Sequence, residues 1–126
     1  MASEDTGWLL MQKEYLYHHN GGDLYEIIYE TLSRNRMSYL AFLKMASEGK
    51  GVSPSEGNGN SLDQDWDIPE EFDKVIFFFG EFESSSMSPS KFASLMQYIT
   101  DIYTNAYPED KKTSMHSIEQ LKARYC

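Results

Sequence analysis

The sequence predicts an α+β fold, mostly helical, with four to five helices packed around a small β-hairpin. Three patterns carry that reading. Phe92, Leu95, Met96, Ile99, Ile102, Tyr103 and Ala106 form one apolar helical stripe, opposite Lys91, Ser94, Gln97, Asp101 and Asn105. The run Val75-Ile76-Phe77-Phe78-Phe79 is β-branched and aromatic, and the more polar Phe82–Met87 segment follows as a return strand. Leu24, Ile27, Ile28 and Leu32 recur at the spacing of an amphipathic helix.

Taken in order, Leu9 to Tyr17 is apolar-rich and reads as a short helix stopped at Gly21-Gly22. Asp23 is placed to cap the next helix, in which Glu30 can pair with Arg34 one turn on. Met37, Leu40, Ala41, Leu43 and Met45 continue the apolar pattern after a break near Asn35. The segment at about 47–64 is crowded with glycine, serine and asparagine and reads as a flexible loop, because it has little apolar surface to offset the entropy of ordering. The strand at Lys74–Phe79 is continuously apolar from Val75 on, which predicts helices on both of its faces. Ser88 suits an N-cap and Pro89 the first position of the helix that follows. Pro108 stops that helix. Glu109 and Asp110 then open a last helix whose apolar positions are Met115, Ile118, Leu121 and Tyr125, and Lys122 and Arg124 close it.

A chain of 126 residues with 40% apolar and 14% aromatic side chains has the composition of one globular domain, spanning 1–126. The formal net charge of −9 opposes unaided binding to nucleic acid or to an anionic membrane. The single cysteine, Cys126, closes no internal bridge. Met1 to Trp8 has no basic region before an apolar one, as a secretory signal requires, and no apolar run approaches the length of a bilayer span. The expectation is a soluble cytoplasmic protein.

The charge is unevenly placed. Nine acids and one base, Lys74, lie between Glu56 and Glu83, so this stretch nets −8 of the −9. Trp66 and Phe72 sit among the acids. Acid around aromatic anchors suggests a surface for a basic protein, since complementary charge speeds encounter and buried rings hold the complex. Two other readings stand beside it. Asp63, Asp65 and Asp67 alternate, and in an extended segment three carboxylates on one side can hold a cation, although the calcium-loop pattern is missing. The acids can also be a solvated face with no partner. Trp66 is the preferred anchor, with burial in the core as the close alternative. His18, His19 and His116 read as surface histidines, and no phosphate-loop, nucleophile-elbow, zinc or dinucleotide motif occurs. No cofactor is expected.

The C-terminal half carries a resemblance. An apolar strand ending in Phe79-Gly80 leads to Ser88-Pro89-Ser90-Lys91-Phe92, an amphipathic helix, Tyr107-Pro108-Glu109-Asp110-Lys111 and a final helix. Over about residues 66–122 this resembles the immunity proteins called CdiI, which guard bacteria against ribonuclease toxins of contact-dependent growth inhibition systems. The resemblance implies a non-enzymatic inhibitor that covers the basic, RNA-binding cleft of one toxin domain, one to one. Asp63, Asp65, Asp67, Glu70, Glu71 and Asp73 would then meet the basic groups, Trp66 and Phe72 would anchor, and Glu81 and Glu83 would extend the patch. The competing class is an acidic secretion chaperone, which would bind an extended segment of an exported protein as a dimer.

Overall fold

The computed structural model describes residues Thr6–Tyr125; the readings made at Met1–Asp5 and at Cys126 fall outside it. In chain order the elements are α1 (Gly7–Leu10), α2 (Lys13–His18), α3 (Gly22–Ser33), α4 (Tyr39–Ser47), β1 (Gly59–Ser61), β2 (Val75–Phe79), β3 (Phe82–Met87), α5 (Pro89–Ala106) and α6 (Lys111–Tyr125). Short 3₁₀ turns stand at Asp63–Asp65, Pro69–Glu71 and Pro108–Asp110. The fold is α+β and mostly helical. The sheet has three antiparallel strands in the order β1-β2-β3, one more than the predicted hairpin. No helix among the described residues is long and apolar enough to cross a membrane.

The strongest local signals became the cleanest elements. Ser88 caps α5 with its hydroxyl accepting the Lys91 N–H at 3.2 Å, and Pro89 follows at the first helical position. Phe92, Leu95, Met96, Ile99 and Tyr103 are buried along one face of α5. Ser38 caps α4 in the same way, through the Ala41 N–H at 3.1 Å. The break before α4 falls where Asn35 turns to φ 58°. Arg34 reaches Glu30 at 3.0 Å, as the one-turn spacing predicts.

Elsewhere tertiary packing overrode local pattern. The stretch from Leu9 to Tyr17 is two short helices, not one. The chain bends at Met11-Gln12, Gln12 Oε1 accepts the Tyr98 hydroxyl at 2.6 Å, and the bend lets Leu9 and Leu16 both bury fully. Asp23 is not the cap of α3. Gly21 holds that position, and the Asp23 carboxylate accepts the Ser85 hydroxyl of β3 at 2.5 Å. In α6 the buried stripe is Ser114, Ser117, Ile118 and Leu121, while Met115 points to solvent. Small serines on that face let α6 sit close against α4 and α5. Trp8 wedges edge-on between Tyr39 and Tyr103, each 5.1 Å away, and the Tyr39 hydroxyl pairs with Thr100 Oγ1 at 2.8 Å inside the core.

The segment read as a loop contains β1, which pairs Gly59–Ser61 with Phe78–Ile76. Its neighbours are fastened to distant elements. Ser55 and Asn58 donate to the Glu30 carboxylate at 2.7 and 3.2 Å, and Arg36 Nε donates to the Pro54 carbonyl at 2.9 Å. Gly51 is required by proximity, because a Cβ there would stand 1.9 Å from the Asn60 carbonyl oxygen. The prediction of helices on both faces of β2 also fails. Val75 and Phe77 are buried toward the helices, whereas the alternate residues Ile76 and Phe78 stay half-exposed outside the core. The sheet is covered on one side only.

Candidate acidic interface

Between β1 and β2 the chain makes an excursion, Leu62–Lys74, that carries six of the nine acids between Glu56 and Glu83. Its shape comes from two carboxylates. Asp65 Oδ2 accepts the N–H groups of Gly51 at 2.7 Å and Leu62 at 2.8 Å, which closes the first 3₁₀ turn and ties it to the end of α4. Asp63 accepts Arg124 Nη1 and the Tyr125 hydroxyl, both at 2.6 Å, from the last turn of α6. Burial, and next the bond to Asp63, push the Tyr125 hydroxyl well above its ordinary pKa. Asp63 and Asp65 thus act first as internal fasteners. Asp63, Asp65 and Asp67 do not lie along an extended segment, so they do not alternate toward one side, and among the described residues no group of three or more His, Cys, Asp or Glu is placed to hold a metal ion.

Aromatic rings brace the same excursion. Trp66 meets Phe72 edge-on at 5.5 Å, Phe72 tilts against Tyr125 at 5.6 Å, and Tyr125 meets the buried Phe92 at 6.1 Å. Phe72 packs on the core and Trp66 sits half-buried upon it. Pro69 starts the second 3₁₀ turn with its φ already set. On this braced turn Asp67, Glu70, Glu71 and Asp73 are exposed, and their carboxylates take no hydrogen bond or ion pair from any described residue. Ile68, 51% exposed, stands among them.

Glu81 and Glu83 do not extend this group. They lie at the far end of β2, about 15 Å away at the rise of a strand. Both are exposed, and Glu56 joins them, since Gly57 touches Glu81. Phe82, 78% exposed, stands between them. A shallow cleft of about 270 Å³ opens beside Glu81, floored by Phe78 and rimmed by Val52 and Asn58. The single acidic stretch of the sequence is therefore two acidic groups at opposite ends of one strand, each with an exposed apolar residue. Sequence reasoning overlooked Ile68 and Phe82. The signal for Phe82 was present, as one large ring in an otherwise polar strand. His18, His19 and His116 are all exposed, with His19 stacked on Tyr15 at 3.9 Å. Compared with family models, with curated proteins and with solved structures, the chain has no match.

Proposed function

We propose that this chain is a non-enzymatic inhibitor, an immunity protein of the CdiI kind, that acts in the cytoplasm by binding a basic ribonuclease toxin domain and blocking entry of RNA. The observation that supports this reading best is the set of four carboxylates, Asp67, Glu70, Glu71 and Asp73, that pair with no described residue, on a turn braced by Trp66, Phe72 and Tyr125. A ribonuclease cleft is lined with cations because it must attract phosphate. Carboxylates gathered on one braced turn substitute for those phosphates, and their preset backbone positions lower the ordering cost of association. Ile68 and Trp66 supply apolar contact at the centre of the charge. The remaining charge of a chain at −9 steers the encounter.

The test uses the C-terminal domain of any large exported protein that is found encoded next to this chain's gene. The two proteins are expected to co-purify one to one, and the ribonuclease activity of that domain is expected to fall to background. A combined variant, Asp67→Asn with Glu70→Gln, Glu71→Gln and Asp73→Asn, should slow association at low salt by about tenfold or more, with a smaller effect at high salt. No binding and no protection of cells would overturn the reading. Association that is equally fast in the neutralised variant would remove these four residues from it.

A further inference from the structure

The two edges of the sheet differ. Outside β1 the chain doubles back, with the Asn60 N–H donating to the Val52 carbonyl at 3.1 Å and the Val52 N–H donating to Asn60 Oδ1 at 2.7 Å. That edge is occupied. Outside β3 no described strand or side chain pairs with the backbone of Phe82–Met87, and the first five of its six residues are exposed. β3 is also the longest strand. Proteins usually guard such an edge with charge, above all lysine, or with proline, a bulge or brevity. β3 has neither lysine nor proline, and its one irregularity is the bulge that leaves Ser84 without a partner on β2.

We propose that β3 is a docking edge that takes an extended basic segment of a partner protein as a fourth strand. The proposal rests on the reading above for the sign of the partner's charge and goes beyond it in naming the mode of contact. Charge decides the occupant. Glu81 and Glu83 stand at the turn end of the open edge, and a second copy of the chain would bring another −9 to it. Geometry sets the pattern. The hairpin closes on the pair Phe79 and Phe82 across a two-residue turn. That pair exchanges backbone hydrogen bonds, so the next pair, Phe78 and Glu83, does not, and the Glu83 N–H and C=O face outward. The Glu83 side chain shares the open face of the sheet with Phe78, while Phe82 shares the opposite face with Phe79. An incoming strand therefore meets a carboxylate on one face and a bare ring on the other, which suits alternating basic and apolar residues.

The probe is a short synthetic peptide alternating lysine and valine, with a glutamate and valine counterpart, added to the intact protein while amide hydrogen exchange is followed residue by residue. The basic peptide should slow exchange at Glu83 by about tenfold or more, and the acidic one should leave it unchanged. Glu83→Gln keeps the N–H and loses the charge, and should weaken binding up to about fivefold. Glu83→Pro removes the outward N–H at an edge position that tolerates proline, and should abolish binding while thermal unfolding confirms the fold. Should that variant not fold, Glu83→Gln and the two peptides still decide. Unchanged exchange at Glu83 with the basic peptide present overturns the proposal. So does slowed exchange without peptide in a protein that sediments as a dimer, because a second copy then holds the edge. A toxin domain that binds but leaves Glu83 exchange untouched sinks this inference and spares the proposed function. Protection of β3 by the peptide in a protein that binds no ribonuclease domain does the reverse.

Discussion

Two aspartates four residues apart, Asp63 and Asp67, have the same chemistry and opposite surroundings. Asp63 is nearly enclosed, its side chain 14% exposed, and it receives two short bonds from α6. Asp67 is exposed and receives none from any described residue. Asp63→Ala leaves the Tyr125 hydroxyl and Arg124 Nη1 without their acceptor, although Arg124 Nε keeps the Ser47 carbonyl, and should cost about 2–3 kcal/mol in urea unfolding. Asp67→Asn should change stability by less than about 0.5 kcal/mol and act on partner association instead. Equal unfolding midpoints for the two variants would contradict this division. The division was not legible in the sequence. The partners of Asp63 lie 61 and 62 residues away and one partner of Asp65 lies 14 away, so residue type and spacing gave no hint of them.

At the scale of elements, what could be read locally was read well. The cap and stripe of α5 and the apolar run of β2 contain their own instructions, and α5 starts where Ser88-Pro89 places it. β1 is the counter-example. Gly59-Asn60-Ser61 has no strand preference of its own and is extended only because β2 offers it a partner. The hairpin turn between β2 and β3 retains a local conflict. Gly80 and Glu81 take φ of 60° and 71°, as a type I′ turn requires, and glutamate is poorly suited to the second of these. The Glu81 N–H donates to the Gly57 carbonyl at 2.9 Å and helps hold the turn there. Glu81→Gly keeps that bond, relieves the side chain's steric cost and should raise stability by about 0.5–1 kcal/mol in chemical denaturation. A loss of stability would mean that the Glu81 side chain supports the turn in a way its exposure does not suggest.

For the whole molecule, tyrosine burial sets the alkaline limit. Tyr39 is fully buried and its hydroxyl is raised well above the ordinary value of 10.0, chiefly by desolvation. Tyr125 is raised by burial and then by Asp63, and the bond to Glu26, followed by burial, pushes Tyr17 up to about 12. A raised tyrosine pKa means that the fold favours the protonated form. The stabilisation is therefore complete below pH 10 and is lost as pH climbs through the raised values. The free energy of unfolding should stay level up to pH 10 and then decline, with Tyr39 alone contributing about 1.4 kcal/mol per pH unit. Urea midpoints across this range should fall less steeply for Tyr125→Phe. A flat profile above pH 10 would mean that these hydroxyls are not held as described.

The grip of Arg124 and Tyr125 on Asp63 also has a temporal meaning. A ribosome delivers the acid-bearing turn long before the helix that clamps it, and contacts between such distant parts of a chain form late. The acidic surface is thus finished only as the last turn of α6 settles. A nascent or C-terminally clipped molecule would carry the same acids on a turn without its clamp, and the finished shape of that turn would arrive as a final step of folding rather than growing with chain length.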